Sequence, residues 1–201
     1  MGLCIKKEVR YMDKRIRLTK EKLRDALISL MHVYELKDIS VSMLVKKAEC
    51  TRSTFYNHFD SVQVLLYELI DDTLEEIKRQ IRKPYENLDE IDFSIFPKKE
   101  VSLFYYLRNH QNLFHVLMKE SKTFDLNRYI ADTIEELYVE EYNFNLNNPN
   151  VDPKLFNIYA ANGISAIILR WMETGYKEDP ELLADQAIEL LKTASLGFSQ
   201  K

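Results

Sequence analysis

Between Thr51 and Phe59 the chain reads TRSTFYNHF. Six of these side chains, Arg52, Ser53, Thr54, Tyr56, Asn57 and His58, are polar groups suited to an anion or a base edge. An arginine fork matches guanine, an asparagine amide matches adenine, and Tyr, Ser and Thr hydroxyls hold phosphate oxygens. On a helix over 52–59, Phe55 and Phe59 fall four residues apart on one face. The phenyl rings then turn inward and the polar set turns outward. The chemistry on offer is recognition of a nucleic acid.

Other chemistries find little support. The chain has no Gly-rich phosphate loop, HExxH or GxSxG, and only 4 glycines, so no enzyme is expected. His110 and His115 are five apart, off register for one helix face, so no metal site is expected. Cys4 and Cys50 have no CxxC partner, and no disulfide framework or cofactor is implied. Cys50 reads as a small hydrophobe, the alternative being an oxidation switch near Lys47 and Arg52.

The polar helix needs neighbours to hold it. Leu23, Ala26, Leu27, Leu30, Met31 and Tyr34 recur at helical spacing, which predicts a helix over 19–34 with Thr19 as N-cap. Ser40 caps a second, short helix carrying Val41, Leu44, Val45 and Ala48. Thr51 caps the third. The spacing Asp60-x-x-Gln63 predicts a capping box opening a long helix over 61–82. Residues 84–99 read as a loop. Helices follow over 100–118, with a break near 109–111, and over 124–142. Residues 143–153 read as a polar loop. Asp152-Pro153 and Asp179-Pro180 each pair an N-cap with Pro at the first helical position, opening helices over 153–174 and from 180 onward. With 4 Gly and 5 Pro in 201 residues, the expected fold class is all-α. Three short helices with a tight turn between the second and third form a helix-turn-helix head, whose third helix would lie in the major groove of double-stranded DNA.

Charge agrees. Residues 1–60 hold 13 Lys/Arg against 8 Asp/Glu, a net of +5, and the remainder carries −9. A basic head on an acidic body suits a nucleic-acid binder. The helix starts at Ser40 and Thr51 are further phosphate candidates. No long apolar run predicts a leader or a membrane span, and a cytoplasmic setting is expected. Met12 is an alternative start.

ISVSMLVKKAECTRSTFYNHFDSVQVLL resembles the DNA-binding head of the TetR family of bacterial transcription regulators. The match rests on Ala48 ending the second helix, Thr51 opening the third, and Thr54-Phe55-Tyr56-x-x-Phe59. Three positions depart. Glu49 stands where the family has a Gly that takes positive φ, at a steric cost. Val62 replaces a frequent phosphate-binding Lys, and Ser42 replaces a frequent Arg or Lys. Basic residues Lys6, Lys7, Arg10, Lys14, Arg15 and Arg17 can compensate. LFYYLRNHQNLFHVLM and YAANGISAIILRWMETGYKEDPELLADQAIELL resemble the C-terminal type common in Firmicutes members, the type of the dihydroxyacetone-kinase operon activator.

The resemblance implies a DNA-binding domain over 1–60 and an effector-binding, dimerising domain over 61–201. It implies a ligand-responsive homodimer on a near-palindromic operator, usually a repressor. Activation, or weak DNA binding with action through a partner protein, is the alternative. DNA contacts would come from Ser40, Ser42, Thr51, Arg52, Ser53, Thr54, Tyr56, Asn57 and His58. The effector, a small molecule or a protein, would meet a pocket drawn from Tyr67, Tyr105, Tyr106, Phe114, Tyr129, Tyr138 and Trp171, or else these rings simply pack a core. The nearly all-apolar helix over 153–174 and the last helix would form the dimer interface through Ile158, Ala161, Ile164, Ser165, Ile168, Ala187 and Leu191, or else a buried monomer core.

Overall fold

The computed structural model describes residues 2–95, 102–120 and 125–201, with side chains from Arg15 onward. The described residues are mostly helical. The helices are α1 Gly2–Met31, α2 Val41–Lys47, α3 Arg52–Tyr56, α4 Val62–Arg82, α5 Leu103–Asn109, α6 Gln111–Lys119, α7 Leu126–Glu141, α8 Pro153–Glu173 and α9 Pro180–Lys192. Three short strands accompany them: β1 Glu90–Asp92, β2 Tyr142–Leu146 and β3 Ser195–Gln200. Among the described residues no helix is long and apolar enough to cross a membrane. The chain divides into two compact units, Met1–Asp72 and Thr73–Lys201.

In the first unit, Leu23, Ala26, Leu27 and Met31 of α1 are buried, as their periodicity predicts. They share a core with Leu44 and Val45 of α2, Phe55 and Phe59 around α3, and Val62, Leu65, Leu66, Leu69 and Ile70 of α4. Burying each of the larger side chains contributes about 1.5–3 kcal/mol. The caps differ from expectation in two places. Thr19 lies inside α1, its hydroxyl donating to the Arg15 carbonyl at 2.9 Å, because the helix begins well before it. At the start of α4 the Ser61 hydroxyl, not Asp60, accepts the Val64 N–H, at 3.2 Å. Lys6, Lys7, Arg10 and Lys14, expected to be a basic arm, fall outside the described side chains.

The second unit packs α7 on α8 and α5 on α9. Asp152 and Asp179 cap α8 and α9 with Pro at the first helical position, as predicted. His110 separates α5 from α6, where a break is expected. The strands are a correction. Residues 142–146, read as helix end and loop, pair with β3, and β1 lies in the stretch read as loop over 84–99; residues 96–99 of that stretch lie outside the described residues. The sheet order is β1-β3-β2, all antiparallel. Phe198 of β3 sits among Tyr85, Phe93, Tyr142 and Phe144, with ring centroids 4.2–5.9 Å away. Gly197 faces β1 so closely that an added Cβ would lie 1.9 Å from the Ile91 carbonyl oxygen.

Candidate nucleic-acid interface

The tight turn before α3 is built by the end of α2. Ala48 closes the helix, and the Cys50 N–H donates back to the Val45 carbonyl at 2.9 Å. This six-to-one bond requires a left-handed residue between them. Glu49 supplies it at φ 54, the conformation expected of a Gly at that position. The strain predicted from the sequence is therefore present, and Glu49 keeps its carboxylate exposed.

Thr51 then caps α3, its hydroxyl accepting the Thr54 N–H at 3.1 Å and lying 2.8 Å from the Thr54 hydroxyl. Ser40 does the same for α2, accepting the Met43 N–H at 3.3 Å. Phe55 is fully buried and Phe59 nearly so. This anchors the helix by one edge and leaves the other outward. Ser40, Ser42, Thr51, Arg52, Ser53, Tyr56 and Asn57 are exposed, while Thr54 and His58 are half-buried. Tyr56 is 57% exposed, its ring edge-on to Phe55 at 5.4 Å. The nine residues singled out from the sequence are thus gathered around the two short helices. Arg52 reaches back to α2, its Nη2 donating to the Ser42 hydroxyl at 2.5 Å. Val62, where the resemblance implies a phosphate-binding Lys, is 5% exposed and belongs to the core.

Behind this face, ion pairs tie α1 to α4. Lys20 and Arg24 meet Glu68 at 2.8 and 2.7 Å, and Arg24 also meets Asp72. Burial pushes the Glu68 carboxyl up, but hydrogen bonds and charge from Lys20 and Arg24 outweigh it and hold it below its ordinary range. Lys20 also lies 5.3 Å above the Phe59 ring. Burial raises the Cys50 thiol above its ordinary value against the pull of Lys22. That is the opposite of an activated thiolate and agrees with the small-hydrophobe reading.

In the second unit the expected dimer residues separate. Ala161, Ser165 and Ile168 are fully buried, and Ile164 and Ala187 are 8% and 6% exposed. Ser165 is held from inside by the Asn127 carbonyl and amide oxygens at 3.0 and 2.8 Å. Ala161, Ser165 and Ile168 are packed into the unit's own core, whereas Ile164 borders a groove at its surface. Ile158 is exposed and Leu191 half-buried. The outward face of α8 instead carries Leu155, Ile158 and Tyr159, with Gly163 and Ala166 beyond them. Leu155 and Tyr159 are 65% and 67% exposed, and Leu182 and Leu190 of α9 are likewise exposed. Tyr159, Gly163, Ile164, Ile167, Leu190 and Leu191 line a small apolar groove. The sequence did not separate the exposed Leu155 and Tyr159 from the buried positions of α8, because a helix apolar nearly all round has no phase to read.

The six aromatics of the second unit have different surroundings. Tyr67 lies in the first unit and is exposed, and Tyr129 is exposed on α7. Tyr138 packs on Tyr142 and Phe144, whereas Trp171 packs on Phe104 and Tyr176. Phe114 is buried against Tyr106. Tyr105 and Tyr106 border an open polar cleft of about 510 Å³, with Glu76, Arg79, Lys83 and His110 around it. Burial raises the Tyr106 phenol to about 12.

Residues 99–193 match a TetR-type family described as "Transcriptional regulator C-terminal region". Over 169 residues the chain is 18% identical to the HTH-type transcriptional regulator YxbF of Bacillus subtilis (strain 168), covering 84% of this chain and 43% of that one. It therefore spans less than half the length of that relative. Among solved structures it is similar to the dihydroxyacetone kinase operon activator DhaS, with TM-score 0.62, 21% identity, and 87% and 94% of the two chains covered. It is also similar to a TetR transcriptional regulator of Streptococcus agalactiae 2603V, with TM-score 0.60, 20% identity, and 91% and 98% covered. A third likeness is to FadR of Bacillus subtilis in complex with stearoyl-CoA, with TM-score 0.57, 17% identity, and 85% and 96% covered. Residues 99–193 thus match a TetR-type family of transcriptional regulators, and the helix-turn-helix head is built as the resemblance to that family implies.

Proposed function

We propose that this protein is a homodimeric, effector-responsive DNA-binding regulator of the cytoplasm, most simply a repressor, with no catalytic activity. The observation that carries this reading is the outward polar face of α3, Arg52 to Asn57, on a base anchored by buried Phe55 and Phe59. Residues 1–60 read DNA, with Ser40, Ser42, Thr51, Arg52, Ser53, Thr54, Tyr56, Asn57 and His58 as contacts. Residues 61–201 dimerise and receive the effector. The apolar side chains Leu155, Ile158, Tyr159 and Leu190 supply the dimer face. Two copies joined there present two recognition helices to successive major grooves of a near-palindrome.

An effector acts by preferring one orientation of α4 over another, which changes the spacing of the two heads. The polar cleft beside Tyr105 and Tyr106 is the place for a small molecule; one structural relative is named with stearoyl-CoA bound. A second reading, activation through a partner protein, is favoured by the strained Glu49, the buried Val62 and a structural relative named as an operon activator. The test is selection of duplexes from a random pool, followed by sedimentation velocity of protein alone and with the selected site. A two-fold symmetric site bound by two protomers, and a monomer from Tyr159→Asp, are expected. An asymmetric site bound by one protomer would overturn the dimer, and no selection at all would favour the partner-protein reading.

A further inference from the structure

Arg52 is the only Lys or Arg between Lys47 and Lys78. The recognition helix and the first half of α4 therefore draw on one cation for phosphate attraction. Neither Val62, which is core, nor Ser42, which is uncharged, adds to it. Yet Arg52 does not extend freely from the first position of α3. Its Nη2 is bound to the Ser42 hydroxyl of α2, and both residues are exposed. Arg52 has no carboxylate partner among the described residues, so its charge is uncompensated.

A guanine-reading arginine presents its N–H groups as a fork to O6 and N7. Here Ser42 engages one terminal nitrogen and holds the group over α2 instead. The Ser42 oxygen accepts from Arg52, which leaves its own hydrogen to donate outward. The two side chains thus offer converging N–H and O–H donors beside a fixed positive charge, a geometry suited to a single phosphate. We propose that Arg52 is a phosphate clamp rather than a base reader, and that Ser42 is its positioning residue. Arg52 returns to the α2 edge the charge that Ser42 does not carry. Sequence reading is left to Ser53, Tyr56 and Asn57. The assignment rests on the DNA-binding reading above.

The test compares two duplexes, one selected by the unmodified protein from a random pool and one scrambled, titrated by fluorescence anisotropy across a salt series. Arg52→Gln is expected to weaken both alike, by about tenfold, and to flatten the log–log salt slope by about 0.9 per bound protomer. Ser42→Ala is expected to weaken both about threefold, Ser42→Thr to restore binding, and Ser42→Ala to add nothing once Arg52 is Gln. Both side chains are exposed, so thermal unfolding stays unchanged. If Arg52→Gln weakens the selected duplex but spares the scrambled one, Arg52 reads a base and the clamp is wrong. If the losses from Ser42→Ala and Arg52→Gln multiply, Ser42 does not position Arg52. An unmodified protein that binds neither duplex sinks the regulator reading itself, and this assignment with it.

Discussion

α3 runs for five residues and buries one of them, whereas α8 runs for twenty-one and buries nine. The short helix has one inward anchor, Phe55, helped by Phe59 just beyond it, and the rest of its surface is polar and open. The long helix turns even Asn157 and Ser165 inward. What distinguishes them is where polar groups find partners. In the head the hydroxyls of Ser40 and Thr51 hold the helix starts, and Arg52, Tyr56 and Asn57 look outward. In the body Ser165 and Ser195 are satisfied from within, by Asn127 and by the Asn145 and Gly197 carbonyls. A surface meant for a partner leaves donors open, while a scaffold closes them.

The contrast can be broken, and the largest effect belongs to the scaffold. Gly197→Ala drives a methyl into the Ile91 carbonyl at 1.9 Å. The backbone on both sides must separate, at a cost of about 3 kcal/mol or more in urea unfolding. A loss below about 1 kcal/mol would mean that β1 and β3 part freely. Next is Asn57→Ala on the open face, expected to weaken binding to a selected duplex by about 2 kcal/mol with no change in unfolding midpoint. A shift in the midpoint instead would make Asn57 structural.

A smaller effect of opposite sign is expected at the turn. Glu49→Gly releases the positive φ and should stabilise the protein by about 1 kcal/mol, read from the urea midpoint. No gain would mean that the turn holds Glu49 without strain. The smallest effect concerns the pairs behind the head. The folded Glu68 carboxyl is held low by Lys20 and Arg24 once burial is overcome. Its contribution is therefore present above the unfolded value of about 4.3 and is lost as pH falls through the lower folded value. Because these side chains are partly exposed, Glu68→Gln should cost less than about 1 kcal/mol at neutral pH, a gap that closes in acid. A gap that widens in acid would reverse the sign of the interaction.

The head was legible because its signals are local. Caps at Ser40 and Thr51, the Phe55–Phe59 spacing and the Glu49 turn each lie within a few residues of the backbone groups they govern. The Asp-Pro starts of α8 and α9 were legible for the same reason. Thr19 misled because a hydroxyl that can cap can also bond back to the carbonyl four residues earlier inside a helix. The sheet was hidden because β3 pairs with strands about 50 and 110 residues away, and neither Tyr142–Leu146 nor Glu90–Asp92 carries a run of β-branched residues. The burial of Ala161, Ser165 and Ile168 was not legible, because periodicity fixes the phase of a helix only when one side is polar.

The central claim is that the outward face of α3 reads DNA. The most direct measurement is fluorescence anisotropy of the purified protein against duplex from its own promoter and against random duplex, at about 50 and 200 mM salt. Saturable binding that weakens steeply with salt and favours the promoter at both concentrations is expected. Equal affinity for the two duplexes at both concentrations would contradict it.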